Sequence, residues 1–400
     1  MSWHTTQPFT PLATIATAPI VYGIVQPGEN VSAGVPFVQT RDIGGVLDPA
    51  HLDRTTDKIA AAYGRSSLIA GDILIALRGE IGSSALVPES LTGANISRGV
   101  ARLRVSAQHD PHFVHQVLSS THVRREIDSL SRGSALREIS IGALRTVTIP
   151  TPSLPEQRKI AEILRVWDKA IGTTETLSSL KQKRFRYALQ RLLSSENWPR
   201  VTLGRVTERV VRKNDGRDHL VMTISAKSGF VAQADKYRRD MAGKSAETYT
   251  LLRKGEFAYN KGNSLTYPQG CIFPLRQPTA LVPSVYVAFR LDPELNANYY
   301  EHLFSAGLLN RQLAQRISAG VRNNGLLNIN ATEFFDIRVP VPPRPEQDRV
   351  AKVLDSMTAE IALLDRKIEL LRTQKRGLMQ KLLTGDVRVI PEVVPEEEQP

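Results

Sequence analysis

The chain has 400 residues, 41% of them apolar, and carries 52 lysines and arginines against 40 aspartates and glutamates, a net charge of +12. That length holds two cores of ordinary domain size plus a connector, and no apolar run reaches membrane-spanning length, so no membrane partner is expected. The single cysteine, Cys271, excludes an internal disulfide and a cysteine-built zinc site; because Met1-Ser2-Trp3-His4-Thr5 is not a basic segment leading into an apolar one, the expected location is cytoplasmic.

In chain order, Gly71-Asp72 leads into an apolar strand pattern over residues 73–77, followed by the glycine turn Gly79-Glu80-Ile81-Gly82 and a second strand pattern from Gly99 to Val105. Asp110-Pro111 then opens a helix, with aspartate at the N-cap and proline in the first turn. His109, His112 and His115 recur at i, i+3 and i+6 beside it, a spacing that could place two imidazoles on one helix face. The second half of the chain has Asn298 and Glu301 at the matching place, so surface histidines, and no metal, are expected. Ile149-Pro150-Thr151-Pro152 and Leu154-Pro155-Glu156-Gln157 come next, opening a long helical pattern.

The same series then returns. Gly255-Glu256 leads into residues 257–260, Gly270-Cys271-Ile272-Phe273 makes a turn and strand, and residues 285–290 make another, before a helix from about Asn298. Cys271 reads as a small core hydrophobe there rather than a nucleophile. Val339-Pro340-Val341-Pro342 and Arg344-Pro345-Glu346-Gln347 stand 190 residues after their counterparts, and Ile329-Asn330 stands on Ile139-Ser140. A register kept over a whole unit marks a duplication. The expected division is a strand-rich domain over 1–152, a helix over 153–196, a second strand-rich domain over 197–342, a helix over 343–384 and an acidic, disordered tail over 385–400.

The second helix repeats apolar residues at alternating steps of four and three: Val350, Leu354, Met357, Ile361, Leu364, Ile368, Leu371, Leu378 and Leu382, interrupted only by Lys375. This is a heptad seam. The first helix offers Ile160, Leu164, Trp167, Ile171, Phe185 and Leu192, with polar Thr174, Ser178 and Lys181 in its weaker middle. Each pattern covers about 40 residues, or about 60 Å at the helical rise, and one apolar stripe of that length needs a partner. Chain order makes the two helices antiparallel, with the strand-rich domains expected at opposite ends of the pair. At each helix start, the proline and Glu156-Gln157 or Glu346-Gln347 suit the positive end of the dipole, so a structural role is expected of them.

Net charge is +1 over 1–152, +4 over 153–196, +8 over 197–342, +3 over 343–384 and −4 over 385–400. Basic arms and helices suit a polyanion. Bases are read by Arg, Lys, Asn and Gln side chains on loops, and phosphates are held by Lys and Arg. The candidates are Arg41, Arg78 and Arg98 in the first domain. In the second they are Lys236, Tyr237, Arg239 and Lys244, then Lys261 and Asn263 in one polar turn, and Arg322, Asn323 and Asn324 in another. Lys181, Lys183, Arg184, Arg186 and Tyr187 either line a DNA path or form a solvated face near a helix C-terminus.

A strand-rich unit, a Pro-x-Pro segment, Pro-Glu-Gln and a long helix, all repeated, with the second helix ending in Gln374-Lys375-Arg376-Gly377-Leu378-Met379-Gln380-Lys381-Leu382-Leu383-Thr384-Gly385, resembles the specificity subunit of type I restriction-modification systems over nearly the whole chain. The resemblance implies an α+β fold: two target-recognition domains in tandem pseudo-repeat, separated by an antiparallel pair of coiled-coil spacer helices. It further implies that each domain reads half of a bipartite site in double-stranded DNA, and that two methyltransferase subunits and restriction subunits dock on the chain. S-adenosylmethionine, Mg²⁺ and ATP would then be bound by those partners and not by this chain. The first helix departs from the pattern, ending in Ser194-Ser195-Glu196-Asn197 without the glycine of the second. No G-x-x-x-x-G-K-[ST] phosphate loop and no glycine-rich turn joined to an Asn/Asp-Pro-Pro-aromatic motif occurs, in line with a non-catalytic subunit. A self-contained DNA-cleaving or DNA-modifying enzyme and a solitary two-armed DNA-binding regulator are the alternatives.

Overall fold

The computed structural model describes residues 8–133, 137–226, 228–236, 247–262, 267–317 and 326–390. The fold is α+β and falls into two units, one of residues 1–174 with 367–400 and one of residues 175–366. Each unit holds one strand-rich domain, the start of the long helix that leaves it and the final stretch of the other long helix. Those helices are long helix one, Leu154–Leu193, and long helix two, Arg344–Thr384.

In the first unit a four-stranded antiparallel sheet runs in the order Val21–Tyr22, Val100–Leu103, Ile73–Ala76, Ser84–Leu86. Its central strand is buried on both faces, and side chains alternate along a strand. Ile73 and Ile75 therefore enter the core shared with the helices, while Leu74 and Ala76 enter a smaller core with Val38, Leu68 and Ile96. Gly71 sits at φ +82° in the turn just before this strand, a conformation glycine adopts without steric cost. Phe9–Pro11 pairs antiparallel with Thr148–Pro150, so the chain closes the domain where the helix begins.

The second unit repeats the plan with a four-stranded antiparallel sheet ordered Thr207–Arg209, Val287–Leu291, Phe257–Asn260, Cys271–Pro274. Gly255, at φ +84°, again precedes the central strand. Phe257 and Tyr259 face the helix-side core and Ala258 the smaller one, where Cys271 is buried as a core residue. Arg200–Thr202 pairs with Arg338–Pro340 in the place of the first domain's closing pair. The fillings differ, however. The first helix-side core is aliphatic apart from Phe113, whereas the second stacks Phe257 on Phe289 at 5.6 Å and Tyr259 on Phe334 at 4.5 Å.

The helix after each sheet is capped alike. Asp110 accepts from Phe113 N with Pro111 in the first turn, and Asn296 accepts from Tyr299 N to open Ala297–Ser305. The second helix thus starts just ahead of the expected Asn298, whose amide instead donates to Asp355 Oδ2 at 2.8 Å. Ser140 and Asn330, which share the repeat register, both serve as N-caps of short helices.

Within each unit the two long-helix segments run antiparallel. In the first, Lys375 pairs with Asp168 while Ile160 and Leu164 share a core with Met379, Leu382 and Leu383. In the second, Ser178 meets Asp365 and Lys181 meets Glu360, while Leu189 and Leu193 share a core with Val350 and Leu354. Of the seam residues, Ile160, Leu164, Ile171, Val350, Leu354, Ile368 and Leu382 are buried. Trp167, Phe185, Leu192, Met357, Ile361, Leu364, Leu371 and Leu378 are half-buried.

The weak middle of helix one is packed rather than loose. Thr174 and Ser178 are both buried; the Thr174 hydroxyl donates to the Ala170 carbonyl, and the Ser178 hydroxyl donates to Asp365 Oδ1 at 2.7 Å. Lys375, the break in the second seam, also has a partner. Its ammonium lies 2.5 Å from Asp168 Oδ1, whose other oxygen accepts from Gln116 Nε2 at 2.6 Å. At the repeat-equivalent position Phe185 places its ring 6.1 Å from that of His302, which contacts Asp355 at 2.7 Å. Apolar periodicity alone misses such polar pairs, because a seam polar residue is stable wherever its partner reaches it.

Candidate nucleic-acid interface and its supports

Strand Ile73–Ala76 carries Asp72 at its start and, two residues beyond its end, Arg78. Arg78 lies across Gly99: a Cβ built on Gly99 would stand 2.6 Å from Arg78 Nε and 3.0 Å from Thr40 Cγ2. A side chain at position 99 would push the Arg78 guanidinium and the Thr40 methyl aside. This contact joins the loops that bear Arg41, Arg78 and Arg98, and all three arginines are exposed. Arg41 is 65% exposed with its guanidinium 2.5 Å from Asp53. Arg78 and Arg98 form no ion pair with a carboxylate among the described residues. The three first-domain candidates, widely spaced in sequence, therefore belong to one loop cluster, in which Arg41 pairs with Asp42 and Asp53.

In the second domain, Lys261 lies beside a paired stem. Its backbone carbonyl accepts from Leu327 N at 2.9 Å, and Gly262 bridges Leu326. The Lys261 ammonium donates to the Ile329 carbonyl at 3.0 Å. The two polar turns expected to touch DNA, around Asn263 and around Arg322, thus leave from neighbouring stems. Asn263, Arg322, Asn323 and Asn324 lie outside the described residues, as do Tyr237, Arg239 and Lys244. Lys236 ends the short helix Gln233–Lys236.

At the other end of the central strand from these loops, each domain has a buried carboxylate clasp. Asp72, whose side chain has no exposure, takes both Arg104 Nε and Nη2 at 2.8 Å, and Ile69 N at 2.9 Å. This hydrogen bonding raises the Arg104 pKa against the effect of burial. Glu256 likewise takes both Arg212 terminal nitrogens at 3.1 Å and Arg253 N at 2.8 Å. Arg102, next to the first clasp, is buried, and desolvation lowers its pKa.

The repeated Pro-Glu-Gln phrase turns out to be a clip. Gln157 and Gln347 are each 1% exposed. Gln157 Oε1 accepts from Asp110 N at 3.0 Å and its Nε2 donates to the Pro152 carbonyl at 2.8 Å. Gln347 repeats both bonds, with Asn296 N at 2.9 Å and the Pro342 carbonyl at 2.8 Å. One buried amide thus ties together the closing strand, the first turn of the long helix and the cap of the domain helix. The helix dipole accounts for only part of the structural role expected of the phrase; the larger part is played by the glutamine, whose signal in the sequence is its exact recurrence beside two prolines.

The three first-domain histidines go to different partners. Gln157 Nε2 is 3.2 Å from His109 Nδ1, His115 Nδ1 is 3.0 Å from Ser84 Oγ, and His112 is exposed. Among the described residues no group of His, Cys, Asp or Glu is arranged to hold a metal. Burial pushes His115 down to about 4, outweighing the opposing charge of Asp168, while Lys375 and His112 push it the same way as burial. His115 is therefore neutral when folded and binds a proton near pH 6.5 when unfolded, so the native state binds fewer protons and stability is lost as pH falls from about 6.5 towards 4. The shift corresponds to a loss on the order of 3 kcal/mol. Urea midpoints at pH 7 and pH 4.5 should fall closer together in His115→Gln than in the parent; an unchanged gap would contradict this.

Residues 29–182 match the protein family described as Type I restriction modification DNA specificity domain. Over 146 residues the chain is 33% identical to the type I restriction enzyme EcoBI specificity subunit of Escherichia coli, covering 36% of this chain but only 30% of that protein. It is 20% identical over 348 residues to the type I restriction enzyme MjaIX specificity subunit of Methanocaldococcus jannaschii, covering 80% and 78% of the two chains. In three dimensions it shares the fold of the type I restriction-modification S subunit from M. genitalium, with a TM-score of 0.56, 15% identity and coverage of 96% and 97%.

Proposed function

We propose that this chain belongs to the family of type I restriction-modification specificity subunits, which its family match and its similarity to the EcoBI subunit support, that it selects the DNA sequence for such a complex, and that it reads a two-part site, one half with each domain. The observation that carries this reading is the duplication: one architecture, clasp and clip occur twice, while the cores and the loops differ. A common frame with unlike loops is what two unlike half-sites require, since sequence is read by loop side chains on base edges while phosphate contacts fix position.

The chain would be non-catalytic, with methyltransferase and restriction subunits binding S-adenosylmethionine, Mg²⁺ and ATP, and the assembly would work in the cytoplasm. Among the described residues no helix is long and apolar enough to cross a membrane. Exposed Val166, Leu177, Leu180 and Tyr187 on long helix one, and Val353, Leu363 and Leu370 on long helix two, support protein docking on the outward helix faces. Cleavage or methylation of DNA by the purified chain alone, supplied with Mg²⁺ and S-adenosylmethionine, would overturn the non-catalytic assignment.

The loop cluster provides the test. Alanine at Arg41, Arg78 and Arg98 together should weaken DNA binding by about 100-fold or more near physiological salt, and flatten the salt dependence by about one unit of slope for each phosphate no longer held. Thermal unfolding should not move, because all three side chains are exposed. Anisotropy titrations across a salt series read both quantities. Unchanged affinity and slope would remove these arginines from the interface.

A further inference from the structure

Within the first unit, a groove of about 460 Å³ lies between the helix Thr121–Leu130 and the last turns of long helix two. Met379 and Leu383 give it an apolar floor, and His122, Arg125 and Arg376 stand at its lining. Arg125 and Arg376 are exposed, and the Arg376 guanidinium donates to the Thr373 hydroxyl at 3.1 Å. No ion pair is made by either arginine among the described residues. Burial, then neighbouring positive charge that includes Arg125, holds His122 below the ordinary imidazole value.

The path of the chain leads back to this groove. Thr384, the last residue of the helix, is part of the lining. Gly385 then takes φ +77°, and Val387 N donates to the Lys381 carbonyl at 3.1 Å, a bond that turns the chain back over the helix end. Val389 packs on the core that contains Met379 and Leu383, so the tail expected to be disordered from 385 onward is instead held against the helix end through this residue. The sequence continues Pro391-Glu392-Val393-Val394-Pro395-Glu396-Glu397-Glu398-Gln399-Pro400. Apolar Val393-Val394 matches the floor, and the three consecutive glutamates match the two arginines. The stretch from Ile390 to Glu397 reaches about 20 Å when extended, ample for a groove that starts where the chain leaves the helix.

We propose that this groove is the docking site of the chain's own acidic C-terminal segment, residues 391–400. The docked glutamates neutralise Arg125 and Arg376, which otherwise attract any polyanion regardless of sequence. The segment thereby keeps a sequence-blind basic patch from competing with the reading loops.

A photocrosslinking amino acid in place of Gln399 in the full-length chain tests this. The expected product is an intramolecular crosslink to residues 121–125 or 373–384, located by peptide mass spectrometry. Its yield should fall at least tenfold in Arg125→Glu/Arg376→Glu and recover when Glu396, Glu397 and Glu398 are changed to lysine in the same chain. Both arginines are exposed, and unchanged thermal unfolding of the variants checks that the groove is intact. Crosslinks elsewhere on the chain, crosslinks between two copies, no crosslink, or a yield indifferent to the charge reversal would each overturn the proposal.

Discussion

Replacing Asp72 with alanine lowers the stability of the first domain by about 3–5 kcal/mol, the cost of leaving one member of a buried ion pair without the other. The carboxylate has no exposure and accepts two guanidinium nitrogens and one backbone N–H. Its loss leaves Arg104 facing Arg102, a buried cation that already has one nitrogen without a partner. Arg104 keeps 27% side-chain exposure and can turn partly to water, which places the effect near the lower end. Asp72→Asn should cost less, because an amide oxygen still accepts hydrogen bonds. Amide exchange at Ile73–Ala76, which begins beside the clasp, reports the loss locally; protection equal to the parent in the alanine variant would show that the clasp carries no stability.

The glutamine clips give the second large effect. Gln157→Ala and Gln347→Ala each leave a proline carbonyl and a cap N–H unpaired in the interior, at about 1–3 kcal/mol per position. The sites share no partner, so the double variant should lose the sum to within about 0.5 kcal/mol. Glutamate is worse than alanine at either position. It replaces the donating Nε2 with an anionic oxygen against the Pro152 or Pro342 carbonyl, and a buried charge without a partner is the costlier fault. Urea unfolding of the four single variants orders these effects. Glutamate tolerated as well as alanine would mean that the amide nitrogen is not needed.

The duplicated plan is legible in sequence because backbone requirements leave fixed marks. Gly71 and Gly255 stand before the central strands, the prolines at 150 and 340 end the closing strands, and heptad spacing marks the long helices. What escapes is pairing between polar groups distant in sequence. Asp72 and Glu256 stand in the sequence only as the acid between a glycine and a strand, yet their partners Arg104 and Arg212 lie 32 residues after and 44 before. Thr174, Ser178 and Lys375 read as faults in a seam, yet Ser178 and Lys375 have Asp365 and Asp168 opposite them and Thr174 bonds back to its own helix. The candidate site shows the same limit. Arg41, Arg78 and Arg98 are legible as exposed basic loop residues, but the meeting of their loops, where Leu77 N bonds the Gly99 carbonyl and Ser97 N the Val38 carbonyl, is not.

The central claim is that one chain reads two separate stretches of DNA with two copies of one domain. Its most direct test is selection of bound duplexes from a randomised library by the complex assembled on this chain, repeated after residues 1–150 are exchanged for those of a relative. Two short specified blocks separated by an unspecified stretch of fixed length are expected, with the exchange altering one block and leaving the other intact. A single continuous block, or an exchange that changes both blocks, would contradict the claim.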